Sequence, residues 1–164
     1  LYRQLIEVSS DRGCPVIEVD PADRAAWLGV LARAPHDRLA ALAATLPDAP
    51  ATETLRPAEI GAVMVRGRAG GTGAAFNLGE MTVTRCSLRL PDGPVGHGYV
   101  QGRGKDAARW AALVDALMQT PRAAAVRCAV IDPLAAEEAA RRDARARKAA
   151  ATKVEFFTLV RGED

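Results

Sequence analysis

A chain of 164 residues with 49% apolar and 26% charged side chains has the composition of one globular domain, large enough to bury a core without disulfides or metals. Its 22 basic and 20 acidic residues nearly cancel, so total charge gives no reason to expect a nucleic-acid or membrane-surface partner. Cys14, Cys86 and Cys128 are odd in number, widely spaced and without a C-x-x-C pair, which argues against a disulfide framework or a zinc site and suits reduced thiols in the cytoplasm. No apolar run reaches the ~18 residues of a membrane span, and the amino terminus lacks a basic region followed by an apolar stretch, so a soluble cytoplasmic protein is expected. Position 1 is Leu rather than Met, which places the expected start upstream or makes it a processed end.

Residues 1–19 alternate poorly and end in CPVIEV, read as an arm or a short strand. Asp20-Pro21 then resembles an N-cap followed by proline at the first helical position, and Trp27, Val30 and Leu31 supply an apolar face down to about Ala34. Pro35 breaks that helix. Asp37 is placed to cap a second one, in which Leu39, Leu42, Ala43 and Leu46 recur at helical spacing until Pro47 and Pro50, so a helical hairpin is predicted. From Thr52 the period changes to that of strands: EIGAVMVRGR, MTVTRCSLRL and, after the turn residues Pro91-Asp92-Gly93, VGHGYVQG. They predict an antiparallel sheet of three or four strands.

Beyond Gly102 the helical period returns, with Trp110, Leu113, Val114 and Leu117 on one face of a helix from Asp106 to Gln119 that is expected to cover the sheet. Asp132-Pro133 repeats the cap-and-proline start and predicts a last helix from Leu134 to about Thr152, in which Glu137 and Glu138 precede Arg141 and Arg142 by four residues. Its apolar face is thin, which suits packing against another subunit. The final run, VEFFTLVRG, holds two of the three phenylalanines and is expected to be docked. The fold class expected is α+β, with an arm over 1–19 and a single domain over 20–164.

Two glycine-rich stretches raise the question of chemistry. Gly70-Gly71-Thr72-Gly73 has Phe76 where a dinucleotide fingerprint needs its third glycine, and a strand rather than a helix follows. Gly102-Arg103-Gly104-Lys105 lacks the earlier glycine and the magnesium-binding hydroxyl of a P-loop. A strand turning through glycines into a helix still presents free N–H groups, and Arg103 and Lys105 beside them would favour a carboxylate or phosphate, so an ordinary turn and an anion site both stay open. His36 and His97 have no second histidine or cysteine nearby in sequence, Ser87 lies inside a strand, and Asp115 and Glu80 read as isolated carboxylates. The basic run Arg141, Arg142, Arg145, Arg147, Lys148 lacks interleaved aromatics and reads as a solvated or partner-facing surface. No catalytic or metal residue is nominated.

The blocks RAGGTGAAFNLGEMTVTRCSLRL, GHGYVQGRGKDAARWAALVDALMQ and VEFFTLVRGED closely resemble the G subunit of the bacterial carbon–phosphorus lyase core complex, the PhnG family. The joint order of Gly70-Gly71-Thr72-Gly73, Thr84-Arg85, Val100-Gln101-Gly102-Arg103, Asp115-Ala116-Leu117 and Phe156-Phe157-Thr158 carries the likeness, from about Asp20 to the end. The resemblance implies a role in phosphonate catabolism, acting with the H, I and L subunits to displace adenine from ATP by an alkylphosphonate, within a core that also contains the radical J subunit. It implies no cofactor on this chain. Gly70, Gly71, Thr72, Gly73, Arg85, Gln101, Gly102, Arg103 and Lys105 are the candidates for anion or partner binding, and Phe156, Phe157 and Arg161 for a partner interface. Self-association of the isolated chain is a further expectation, as is a stand-alone anion-binding role if the two glycine loops converge. One departure matters: members of the family commonly carry G-R-D-K-x-H-A, whereas this chain has Gly104 for the acid and Ala107 for the histidine. That histidine is taken as structural, since a catalytic one would leave this chain impaired.

Overall fold

The computed structural model describes residues 23–47, 50–91 and 93–153, and over these it is α+β. Helices α1 (Arg24–Arg33) and α2 (His36–Ala43) are followed by strands β1 (Glu53–Arg68), β2 (Ala75–Arg89) and β3 (Val95–Gln101). Then come α3 (Lys105–Leu117), a short α4 (Ala123–Val126), one wide π-type turn (Arg127–Ile131) and α5 (Asp132–Ala150). The strands form one antiparallel sheet in the order β1-β2-β3. The two predicted helices and the three strands are thus present. Asp20-Pro21, the arm over 1–19 and the aromatic tail from Val154 lie outside the described residues.

Three boundaries differ from the sequence reading, each for a local reason. Asp37 lies inside the first turn of α2 rather than capping it, because Pro35 precedes the helix and His36 already belongs to it. β1 begins at Glu53, six residues before the run EIGAVMVRGR, and β2 at Ala75, six before MTVTRCSLRL, because cross-strand pairing holds from Glu53 opposite Arg89 to Arg68 opposite Ala75. Asp132 caps nothing: helix runs unbroken through it from Ala123, and the wide turn sits just ahead of Pro133, whose missing N–H leaves the preceding turn without its usual bond.

α3 lies on one face of the sheet, where Cys86, Leu88, Gly96, Gly98 and Val100 are buried, while the alternating residues Arg85, Arg89, His97, Tyr99 and Gln101 are exposed. The helix approaches β3 unusually closely. A Cβ at Gly96 would stand 1.9 Å from Ala112 O, and one at Gly98 the same distance from Ala108 O. Only glycine on the strand and alanine on the helix allow that approach, so the sheet-facing side of α3 is the alanine stripe Ala108, Ala112, Ala116. The larger face of α3, with Val114 and Leu117 fully buried, packs among α1, α2 and α4, and Trp110 is only half-buried. Burial raises the Cys86 thiol, with Arg109 opposing in part, so this cysteine is a core side chain rather than a nucleophile.

α5 is anchored only at its start. Leu134 is its one buried residue among those described, Arg33 Nε donates to Glu138 at 2.6 Å, and Arg38 Nε donates to Glu137 at 2.7 Å. From Ala139 onward every described position of the helix is exposed, which agrees with the thin apolar face read from the sequence.

Gly98→Ala is expected to lose about 3 kcal/mol or more in urea denaturation, because the obstacle is helix backbone that cannot rotate away. Gly61→Ala, with nothing within 4 Å of its Cβ, is the control and should stay within about 0.5 kcal/mol of wild type. The hydrogen bond from Arg33 holds the Glu138 carboxyl below its usual 4.5. A depressed folded value means that this contribution is complete above pH 4.5 and fades as pH falls through the folded value. Arg33→Ala should therefore narrow its stability difference from wild type as the pH is taken below that range.

Candidate functional site

The deepest polar feature is Asp115, whose side chain is fully buried in α3. Its carboxylate accepts from Arg24 Nε (3.1 Å) and Nη2 (2.7 Å), from Trp27 Nε1 (2.9 Å) and from the backbone N–H of His97 (2.8 Å). Arg24 Nη2 also donates to Val95 O, and Gln119 Nε2 donates to the same carbonyl. This carboxylate is not isolated, as its sequence neighbours suggested; it ties α1, β3 and α3 together. The signal for it was present in the helical spacing, because Asp115 falls beside the alanine stripe of α3 that meets the sheet.

Beyond the end of β3, Gly102 turns the chain at φ +86 and its N–H donates to Thr82 O at 2.8 Å. Thr84, fully buried, donates its hydroxyl to Gly102 O at 2.7 Å. His36 stands over this turn, with Nε2 hydrogen-bonded to Gln101 O at 2.8 Å, and its ring fills the space beside Gly104: a Cβ there would lie 2.4 Å from Nδ1. The chain that carries Gly104 and a buried Ala107 thus still has an imidazole at this loop, contributed by α2. Sequence reasoning missed it because nothing local links His36 to a loop 65 residues away. Arg103 and Lys105 are exposed at the same turn.

Gly70, Gly71, Thr72 and Gly73 lie at the tip of the β1–β2 hairpin, where Gly70 (φ +58) and Gly71 (φ +82) need left-handed backbone and a Cβ on Gly73 would meet Ala69 O at 2.6 Å. Their glycines are explained by the turn itself. The two loops are far apart: Gly102 bonds opposite Thr82, and the seven residues from there to Ala75 span about 23 Å of strand. The convergence on one anion that a stand-alone binding role required does not occur. Arg85 is elsewhere again, on the exposed sheet face 3.8 Å from Glu59.

On that face Ser87 Oγ and His97 Nδ1 are 2.9 Å apart. A serine–histidine pair needs a third group to orient the ring and a pocket to hold an acyl group. Asp115 bonds the backbone of His97 rather than its imidazole, and the pair stands on an open sheet face, so neither requirement is met. Among the described residues no three His, Cys, Asp or Glu side chains gather as a metal set. No helix there is long and apolar enough to cross a membrane. Phe156, Phe157 and Arg161 lie outside the described residues.

The fold and site define an α+β domain that builds its buried polar groups into structure and presents no self-contained catalytic set among the described residues. The chain belongs to the family described as phosphonate metabolism protein PhnG, whose family model matches residues 22–162. It is 45% identical over 147 residues to the alpha-D-ribose 1-methylphosphonate 5-triphosphate synthase subunit PhnG of Rhizobium meliloti (strain 1021), a match spanning 87% of this chain and 92% of the relative. Both findings agree with the likeness read from the glycine and arginine motifs.

Gly104→Ala should force the His36 ring off Gln101 O at a cost of about 1 kcal/mol, read by thermal melting and by the His36 ring resonances. In a His36→Ala background the same change should cost nothing or stabilise by about 0.5 kcal/mol. Equal effects in both backgrounds would show that the ring does not occupy this place.

Proposed function

We propose that the chain is an accessory subunit of a synthase that joins the ribose 5-triphosphate of ATP to an alkylphosphonate with release of adenine, in phosphonate catabolism. The observation that carries this is the 45% identity over nearly the whole length of a relative named as a subunit of such a synthase. The Ser87–His97 pair, exposed on the sheet face and with Asp115 bonded to the His97 backbone rather than its ring, supports an accessory share of the work. In this reading the H, I and L subunits act with the chain, the J subunit shares the core, and the reaction takes place in the cytoplasm. The chain carries no cofactor or metal of its own and binds neither nucleic acid nor membrane. Gly70 to Gly73 and the tail residues Phe156, Phe157 and Arg161 serve as partner contacts, while Arg85, Gln101, Gly102, Arg103 and Lys105 serve as anion or partner contacts.

The test is adenine release from ATP and methylphosphonate by the purified H, I and L subunits with and without this chain. Release is expected only when the chain is present. An undiminished rate without it would remove the accessory role.

A further inference from the structure

The outer half of the β1–β2 hairpin has no support from the rest of the described chain. β3 pairs with β2 only from Val83 to Arg89, so Ala62–Arg68 and Ala75–Thr82 continue as a bare two-stranded ribbon, reaching about 23 Å past the third strand. A lone two-stranded hairpin is marginal in water, and unpaired strand edges are usually covered or defended by charge. This one instead exposes large apolar side chains: Leu78 is 66% exposed, Met64 51% and Phe76 45%. Such a concentration on a projecting element marks a surface that is covered when the protein works.

Charge selects the kind of cover. Between Ala62 and Thr82 the ionisable side chains are Arg66 and Arg68, which flank the tip, and Glu80 further down the arm. Arg66 has no ion-pair partner among the described residues, and Arg68 donates to Gly73 O, which holds it at the tip. The arm is therefore apolar along its length and positive at its end.

We propose that this arm docks into an apolar cleft with an acidic mouth on another subunit of the synthase, the arginines meeting carboxylates at the mouth as the apolar residues are covered. This rests on the subunit reading above and goes beyond it by assigning the docking element and the chemistry of its receptor. Salt should weaken the interaction through the arginines while leaving the apolar part in place.

The experiment is co-expression of the full chain with the other synthase subunits, one of them tagged, and measurement of the fraction retained. Phe76→Ser/Leu78→Ser and Arg66→Glu/Arg68→Glu are each expected to lower retention by about tenfold or more. Arg109→Gln, an exposed position of α3 away from the arm, should be retained like wild type. Melting temperatures of the isolated arm variants should stay near wild type, since the altered side chains are exposed. Arm variants retained like wild type would overturn the proposal alone. Failure of the wild-type chain to be retained would remove the subunit reading, and the proposal with it. Sedimentation showing a wild-type dimer that both arm variants convert to monomer would make a second copy the occupant and overturn the proposal as well.

Discussion

One buried carboxylate sets the arrangement of this domain. Asp115 is taken out of water completely, and an uncompensated charge there would be prohibitive, so its two oxygens must find donors. The four hydrogen bonds it accepts come from two elements besides its own, and each fixes a relation: Arg24 and Trp27 orient α1, and the His97 N–H sets the level at which β3 crosses α3. That level is the one at which Gly96 and Gly98 can admit the helix backbone. The polar network and the glycine–alanine contact are therefore one constraint seen from two sides, and the rest of the sheet is extended from β3 by pairing.

This explains why the fold was largely legible in the sequence and where it was not. Alternation in MTVTRCSLRL, the helical period of α3 and the prolines at 35 and 47 are local signals, and the corresponding elements exist. The continuation of β2 back to Ala75 depends on pairing with β1, which no local propensity for Phe76-Asn77-Leu78-Gly79 would show. The helix through Arg127–Ile131 was obscured because Asp132-Pro133 resembles a start signal, whereas here the chain accommodates proline within a continuing helix. For the candidate site, the separate roles of the two glycine loops became clear only from the register that puts them far apart. The contact of His36 with Gln101 and Gly104 likewise belongs to tertiary structure.

The functional picture follows from where polar chemistry is spent. Asp115, Thr84 and His36 all satisfy backbone or buried partners. The exposed Ser87–His97 pair lacks an orienting group and a pocket, while the projecting features, the hairpin arm and the far half of α5, are long, bare and poorly packed. A domain of this design is suited to joining and stabilising an assembly, which is the role proposed for it within the synthase.

The most direct measurement is the turnover of a reconstituted synthase in which this chain carries His36→Ala, Ser87→Ala and His97→Ala together. These remove both imidazoles and the hydroxyl beside one of them. If the chain acts through assembly, kcat should remain within about twofold of wild type, because general acid–base groups contribute ~10²-fold or more when they take part in chemistry. A fall of about a hundredfold or more with the assembly intact would place a catalytic group on this chain and contradict the account.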